Sequence, residues 1–239
     1  MKLKAMALPL AVMGLIHSAA AEDKDSVPVV PTEFHTIYVP GGFDSNDRVQ
    51  LVTEGVYPNT CYRPAPPQIV TDRAAREIRI TSSAYQYEGN CLQVVVAFDQ
   101  TLEIGMLEAG SYKVIQQKEG GSVEMGTLRV GVSRSQDADD FLYAPVSQAY
   151  AENKDGKTLV RVTGSFTDSC MRLSDVLITE EPRVLVVQPI ATRDARPDCT
   201  AGNYPFDRTV EVAGNRKGRF LLHVRSLNGK AFNHLVDLN

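Results

Sequence analysis

"FDQTLEI" occupies residues 98–104 and "FDRTVEV" occupies residues 206–212. Phe, Asp, Thr and Glu return at the same places, and the other letters change conservatively. The likeness continues on both sides. Gly55 stands six residues before Cys61, and Gly164 six before Cys170. Cys91 follows Cys61 by 30 residues and Cys199 follows Cys170 by 29, and each second cysteine lies seven residues before its Phe. Gly110 and Tyr112 then match Gly218 and Phe220, and "IYVP" (37–40) has an echo in "LYAP" (142–145). So many matches in register indicate two copies of one domain. The linker falls in the polar, acidic "SRSQDADD" (133–140), which has no apolar periodicity.

Each copy reads as β. "RVQLVTEG", "REIRITS", "CLQVVVAFD", "SYKVI" and "SVEMGTLRV" in the first, and "KTLVRVTG", "RVLVVQP", "TVEVAG", "RFLLHVRS" and "AFNHLVDL" in the second, are short, rich in Val and Ile, and bounded by turn residues. "LNGK" (227–230) suits a tight hairpin turn. About seven strands in roughly 100 residues is the proportion of an immunoglobulin-like or fibronectin-type sandwich. The expected fold is therefore all-β, with two tandem sandwich domains over residues 33–134 and 139–239. "LEAGSYKV" (107–114) places Gly two residues before Tyr112 at a strand start and resembles the tyrosine corner of Greek-key sandwiches.

The first residues carry a different signal. Lys2 and Lys4 precede a 12-residue apolar run (5–16) and the small residues Ala19, Ala20 and Ala21. That is the pattern of a secretory signal peptide over residues 1–21, and the run is too short to span a membrane as a helix. A polar leader is expected over 22–32. Removing Lys2 and Lys4 with the signal peptide leaves 23 basic residues against 29 acidic, a net charge of −6. Such a balance argues against nucleic-acid binding. The expectation is a periplasmic or extracellular protein without a membrane anchor.

Four cysteines in an exported chain allow three pairings, and the repeat selects Cys61–Cys91 and Cys170–Cys199, one bridge within each copy. His223 and His234 fall in neighbouring strands of the second copy, and no third group is marked out to orient either as a catalytic base. "DSNDR" (44–48) and "DADD" (137–140) are rich in oxygen ligands but read as solvated turns. No catalytic residue, metal site or cofactor is expected. The function these features suggest is non-catalytic binding, adhesion or scaffolding at a bacterial envelope, toward another envelope protein or surface component. The alternative is a chaperone or inhibitor that contacts an exported protein through an edge strand.

Laid out as strands, the two heptads place Phe98, Leu102 and Ile104 on one face and Asp99, Thr101 and Glu103 on the other. Asp207, Thr209 and Glu211 are the second set. These six are the candidate binding residues, since all three outward letters are unchanged between copies. A structural alternative has Asp99 and Asp207 bonding backbone amides at a turn.

Overall fold

The computed structural model describes residues 27–137 and 139–239. The proposed signal peptide lies outside the described residues. Ten strands form the N-terminal part: β1 (Val29–Thr32), β2 (Phe34–Tyr38), β3 (Phe43–Asp44), β4 (Val49–Tyr57), β5 (Tyr62–Pro64), β6 (Gln68–Asp72), β7 (Glu77–Gln86), β8 (Val96–Gly105), β9 (Gly110–Lys118) and β10 (Gly121–Gly131). The C-terminal part has β11 (Val146–Lys154), β12 (Lys157–Asp168), β13 (Met171–Glu180), β14 (Val184–Arg193), β15 (Ala201–Val212), β16 (Gly218–Ser226) and β17 (Lys230–Leu238). Among the described residues there is no α-helix.

Each part is a β-sandwich. In the first, the sheet β2-β4-β8 faces a larger sheet built on β7, β9 and β10, and Val49, Leu51, Ile78, Ile80, Leu102, Tyr112 and Leu128 fill the space between. In the second, β11-β12-β15 faces β13-β14-β16-β17 around Val160, Val162, Leu185, Val187, Phe220 and Leu222. The strand pairings follow the same order: β2-β4-β8 matches β11-β12-β15, and β6-β7-β9-β10 matches β13-β14-β16-β17. One feature departs from the all-antiparallel sheets of an immunoglobulin domain. β7 pairs parallel with β9, and β14 with β16. The chain leaves the sheet after β7, runs along the other sheet as β8, and returns in its original direction.

Glycine fixes the register of the smaller sheets. Gly55 pairs with Phe98, and Gly164 with Phe206. A Cβ on Gly55 would meet the Phe98 ring at 2.5 Å and the Glu33 carbonyl at 2.9 Å. On Gly164 it would meet the Phe206 ring at 2.5 Å and collide with the Pro145 carbonyl. The ring lies where a side chain would be, so the glycine and the phenylalanine recur together. Beyond that pair, Tyr57 stacks on Phe98 with centroids 4.3 Å apart, and Phe166 meets Phe206 at 5.2 Å. Beside these clusters sit the disulfides Cys61–Cys91 and Cys170–Cys199, each with Cα atoms 5.4 Å apart.

Two sequence expectations shift. The polar leader does not extend to residue 32: Val29–Thr32 pair with Ser82–Tyr85, and Val30 packs against Tyr57 and Phe98. The "IYVP"–"LYAP" echo is not a structural equivalence either. Tyr38 lies in β2, whereas residues 142–144 bond along β14, as β1 bonds along β7. The hairpin at "LNGK" forms, with positive φ at Asn228 (63°) and Gly229 (67°).

Tyr112 completes its corner. Its hydroxyl donates to the carbonyl of Glu108 at 3.0 Å and accepts from Arg76 at 2.9 Å. Tyr112→Phe should cost about 0.5–1.5 kcal/mol, the net worth of a hydrogen bond, seen as a lower denaturation midpoint. Gly55→Ala should cost about 1–3 kcal/mol through overpacking against Phe98. An unchanged midpoint in urea would show that the ring can give way.

Candidate functional site

The two sandwiches meet face to face. β4 is buried at every position but Val56, because its two faces serve two cores. Val49 and Leu51 point into their own sandwich. Val52, with Tyr38, packs instead against Val184, Val186 and Leu221 of the C-terminal sandwich. β16 does the same from the other side, with Phe220, Leu222 and Val224 inward and Leu221 at the seam. The seam thus stacks the outer face of β2-β4-β8 on that of β14-β16-β17. "VQLVTEG" and "FLLHVRS" are accordingly buried at every position.

Polar groups lock the seam. Arg225 and Asp47 form an ion pair at 3.0 Å with side chains 6% and 5% exposed. The same guanidinium donates to the Tyr143 hydroxyl at 3.1 Å and the Gly42 carbonyl at 2.5 Å, and lies 4.7 Å from the centroid of Phe43. Farther along, Glu54 accepts from Arg219 at 2.6 Å and from the Tyr38 hydroxyl at 2.7 Å. Burial, reinforced by Glu54, pushes the Tyr38 phenol up. Buried charges of this kind must find partners, and here each ion pair joins one sandwich to the other.

A third set of contacts reaches His223. Glu103 accepts from Gln50 at 2.8 Å, Asn233 donates to Gln50 at 3.1 Å and to Thr101 at 3.3 Å, and Nδ1 of His223 lies 2.7 Å from Oδ1 of Asn233. His223, Arg225, Asp47, Asp139, Tyr143 and Phe43 line a narrow cavity of about 10 Å³. Past the shared walls Arg48, Gln50, Gly229 and Lys230 there is a surface groove of about 550 Å³ along Glu103 to Met106. Burial, helped by the charge of Arg225 and opposed by the bond to Asn233, brings the His223 imidazole down to about 4. Burial, helped by Asp47 and Asp44, raises the Asp139 carboxyl to about 6.

The six candidate residues are exposed on the outer faces of β8 and β15, and the two stripes serve different surroundings. Thr101 and Glu103 reach the seam through Asn233 and Gln50. Asp99 lies opposite Glu54 in the β4–β8 register. Asp207 is gripped by the guanidinium of Arg161, and Glu211 pairs with Lys157 at 2.7 Å. Thr209 stands opposite Arg161 in the register. Asp207 thus binds a side chain, in place of the backbone amides expected. His223 and His234 do not meet: His223 pairs with Asn233 and the exposed His234 with Leu222, so their side chains take opposite faces.

"DSNDR" and "DADD" come together at the junction. Asn46 donates to the carbonyl of Asp137 at 2.8 Å, and the Asp140 carboxylate accepts from the backbone of Arg134 and Ser135. Among the described residues, the group close enough to share a metal is Asp168, Cys170 and Cys199, and its sulfurs are committed to the disulfide.

A second surface feature lies beside the Cys61–Cys91 bridge. Leu92, Val94 and Val95 are 68%, 53% and 71% exposed, and the run leads directly into β8. The matching places after Cys199 hold Thr200, Gly202 and Asn203.

The cavity groups give opposite pH slopes. Unfolded His223 takes a proton near 6.5 and folded His223 near 4, so its contribution falls as pH drops through that window. Folded Asp139 takes a proton near 6 and the unfolded residue near 3.8, so its contribution rises as pH drops between those values. The two contributions should nearly cancel from pH 6 to 4. Asp139→Asn should expose the histidine slope, at most about 1.4 kcal/mol per pH unit, and His223→Gln the reverse. Parallel curves for all three proteins in urea titrations would contradict this.

Residues 51–130 match the family model described as the ORF11 beta-sandwich domain. No curated protein and no solved structure matches the chain. The similarity covers β4 to most of β10, the region that contains Gly55, Phe98 and the first disulfide.

Proposed function

We propose that this chain is an exported, non-catalytic binding protein of the bacterial envelope, built from two tandem copies of one disulfide-stapled, immunoglobulin-like sandwich. The matching order of strand pairings, the Gly55–Phe98 and Gly164–Phe206 registers and the two bridges support the duplication. The bridges and the N-terminal sequence pattern support export. Among the described residues, no helix is long and apolar enough to cross a membrane. The charged groups at the seam pair with one another across it, as suits a rigid joint.

The observation that carries the binding role is the exposed apolar run Leu92, Val94 and Val95. Contiguous exposed apolar groups mark interaction sites, and the bridge holds this one in place. The partner is another envelope protein or surface component with an apolar counterpart. A second reading, strand addition by a chaperone or inhibitor, is favoured by β8 itself. It is the last strand of β2-β4-β8, and among the described residues no strand pairs with its outer edge, so a strand could be added where the apolar run enters it.

A photo-crosslinking amino acid at Leu92, compared with one at Thr200, tests the binding role in cells exporting the full chain. An adduct with an envelope component is expected at Leu92 alone. Val95→Asp should abolish it and shift stability by no more than about 0.5 kcal/mol. Equal adducts at both positions, or none at Leu92, would count against the role.

A further inference from the structure

We propose that the seam cavity binds one hydroxyl group, which donates its proton to Nε2 of His223 and accepts from Nε–H of Arg225. The argument starts at Glu103. A carboxylate can only accept, so Gln50 turns its NH₂ group toward it and leaves its oxygen for Asn233. Asn233 therefore points its NH₂ at Gln50 and Thr101, and its oxygen at Nδ1 of His223. That oxygen accepts, so the proton of the neutral imidazole sits on Nδ1. Nε2 is left with a bare lone pair.

His223 is 1% exposed, and Nε2 has no partner among the described residues. Arg225 is 5% exposed, and its Nε–H also has no partner among the described residues, while its terminal nitrogens serve Asp47, Tyr143 and Gly42. Both side chains line the cavity. A carboxylate or carbonyl would suit Arg225 but would set a lone pair against Nε2. An ammonium would suit Nε2 but would be repelled by Arg225. A hydroxyl oxygen donates once and accepts at once, and a space of about 10 Å³ admits a single oxygen.

Two sources can supply that oxygen: water, or one hydroxyl of a sugar or polyol lying in the adjoining groove. The groove has the volume of a small-ligand site. Its walls offer the Glu103 carboxylate as acceptor, Arg48 and Lys230 as donors, and Met106 as an apolar surface. Thr101 and Glu103 then act as positioning residues that set the proton on His223. This site is independent of the apolar run beside the first disulfide.

The histidine rings of the mature, ¹⁵N-labelled protein report the arrangement in long-range ¹H–¹⁵N spectra. His223 is expected as the Nδ1–H tautomer, with Nε2 at the shift of a hydrogen-bonded acceptor. An Nε2–H tautomer, or an Nε2 free of hydrogen bonding, would overturn the proposal. Glu103→Gln lets the amide relay reverse, so mixed tautomers at an unchanged melting temperature are expected. A pure Nδ1–H signal in that variant would overturn the relay. Titration with myo-inositol separates the sources. Joint shifts of His223 Nε2 and the Met106 methyl assign the site to a polyol hydroxyl. No shift, together with a crystallographic oxygen within hydrogen-bond distance of both nitrogens, assigns it to water, and no oxygen in either experiment refutes the site.

Discussion

A phenylalanine ring lying on a glycine sets the register of each small sheet, and the rest of the molecule follows from that register. Because side chains alternate along a strand, a slip of one residue would exchange the two faces of β4. With Phe98 over Gly55, Val49 and Leu51 enter their own core, while Gln50, Val52 and Glu54 face the other sandwich. The seam, its ion pairs and the relay to His223 all need that assignment. A methyl group on Gly55 has no room in this arrangement, so the constraint is steric.

The seam also explains where the two sandwiches differ. Val52 stands three residues before Gly55, and the residue three before Gly164 is Arg161. Leu221 follows Phe220 at the seam, whereas Lys113 follows Tyr112. Val184 and Val186 occupy the places that Glu77 and Arg79 hold beside β9. Where the faces dock, the residues are apolar. Where the same faces are free, they carry Arg161 with Asp207, Lys113 with Glu124 and Arg79 with Glu77. Such exposed pairs add little stability, but they do not invite a third sandwich to stack. The Arg225–Asp47 pair belongs to the same logic: a buried ion pair gains little over apolar packing, yet a rotated or shifted seam would leave both charges unpaired.

Much of this was legible in the sequence, because the signals were local. Alternation gave the strands, the cysteine spacings the bridges, and the Gly–Tyr spacing the corner at Tyr112. The seam was not legible. It forms between segments more than 130 residues apart, such as Glu54 and Arg219 or Gln50 and Asn233, and no local periodicity records such a contact. Its trace was a run without alternation in "VQLVT" and "FLLHV", which short strands show for several reasons. The parallel pairing of β7 with β9 escaped for a related cause: it depends on where β8 goes between them, and strand patterns carry no sheet order. Thr101 and Glu103 were marked as outward, but their ties to Asn233 and Gln50 needed the second sandwich in place.

The unchanged letters of the two heptads have a shared physical cause that the separate contacts hide. β8 and β15 are both the last strands of three-stranded sheets. A strand in that position offers unpaired backbone groups to any passing chain, and outward charge is a standard defence. Asp99 and Glu103 on one edge, and Asp207 and Glu211 on the other, set like charges four residues apart on one face of the strand, so an identical edge brought alongside meets carboxylates with carboxylates. Phe returns to cover glycine; Asp and Glu return to keep the edges apart; Thr suits the exposed pleat between them. The defence stops at residue 99. Upstream, Val94, Val95 and Val96 carry no charge, and an edge guarded along most of its length but apolar at one end would admit a partner there first.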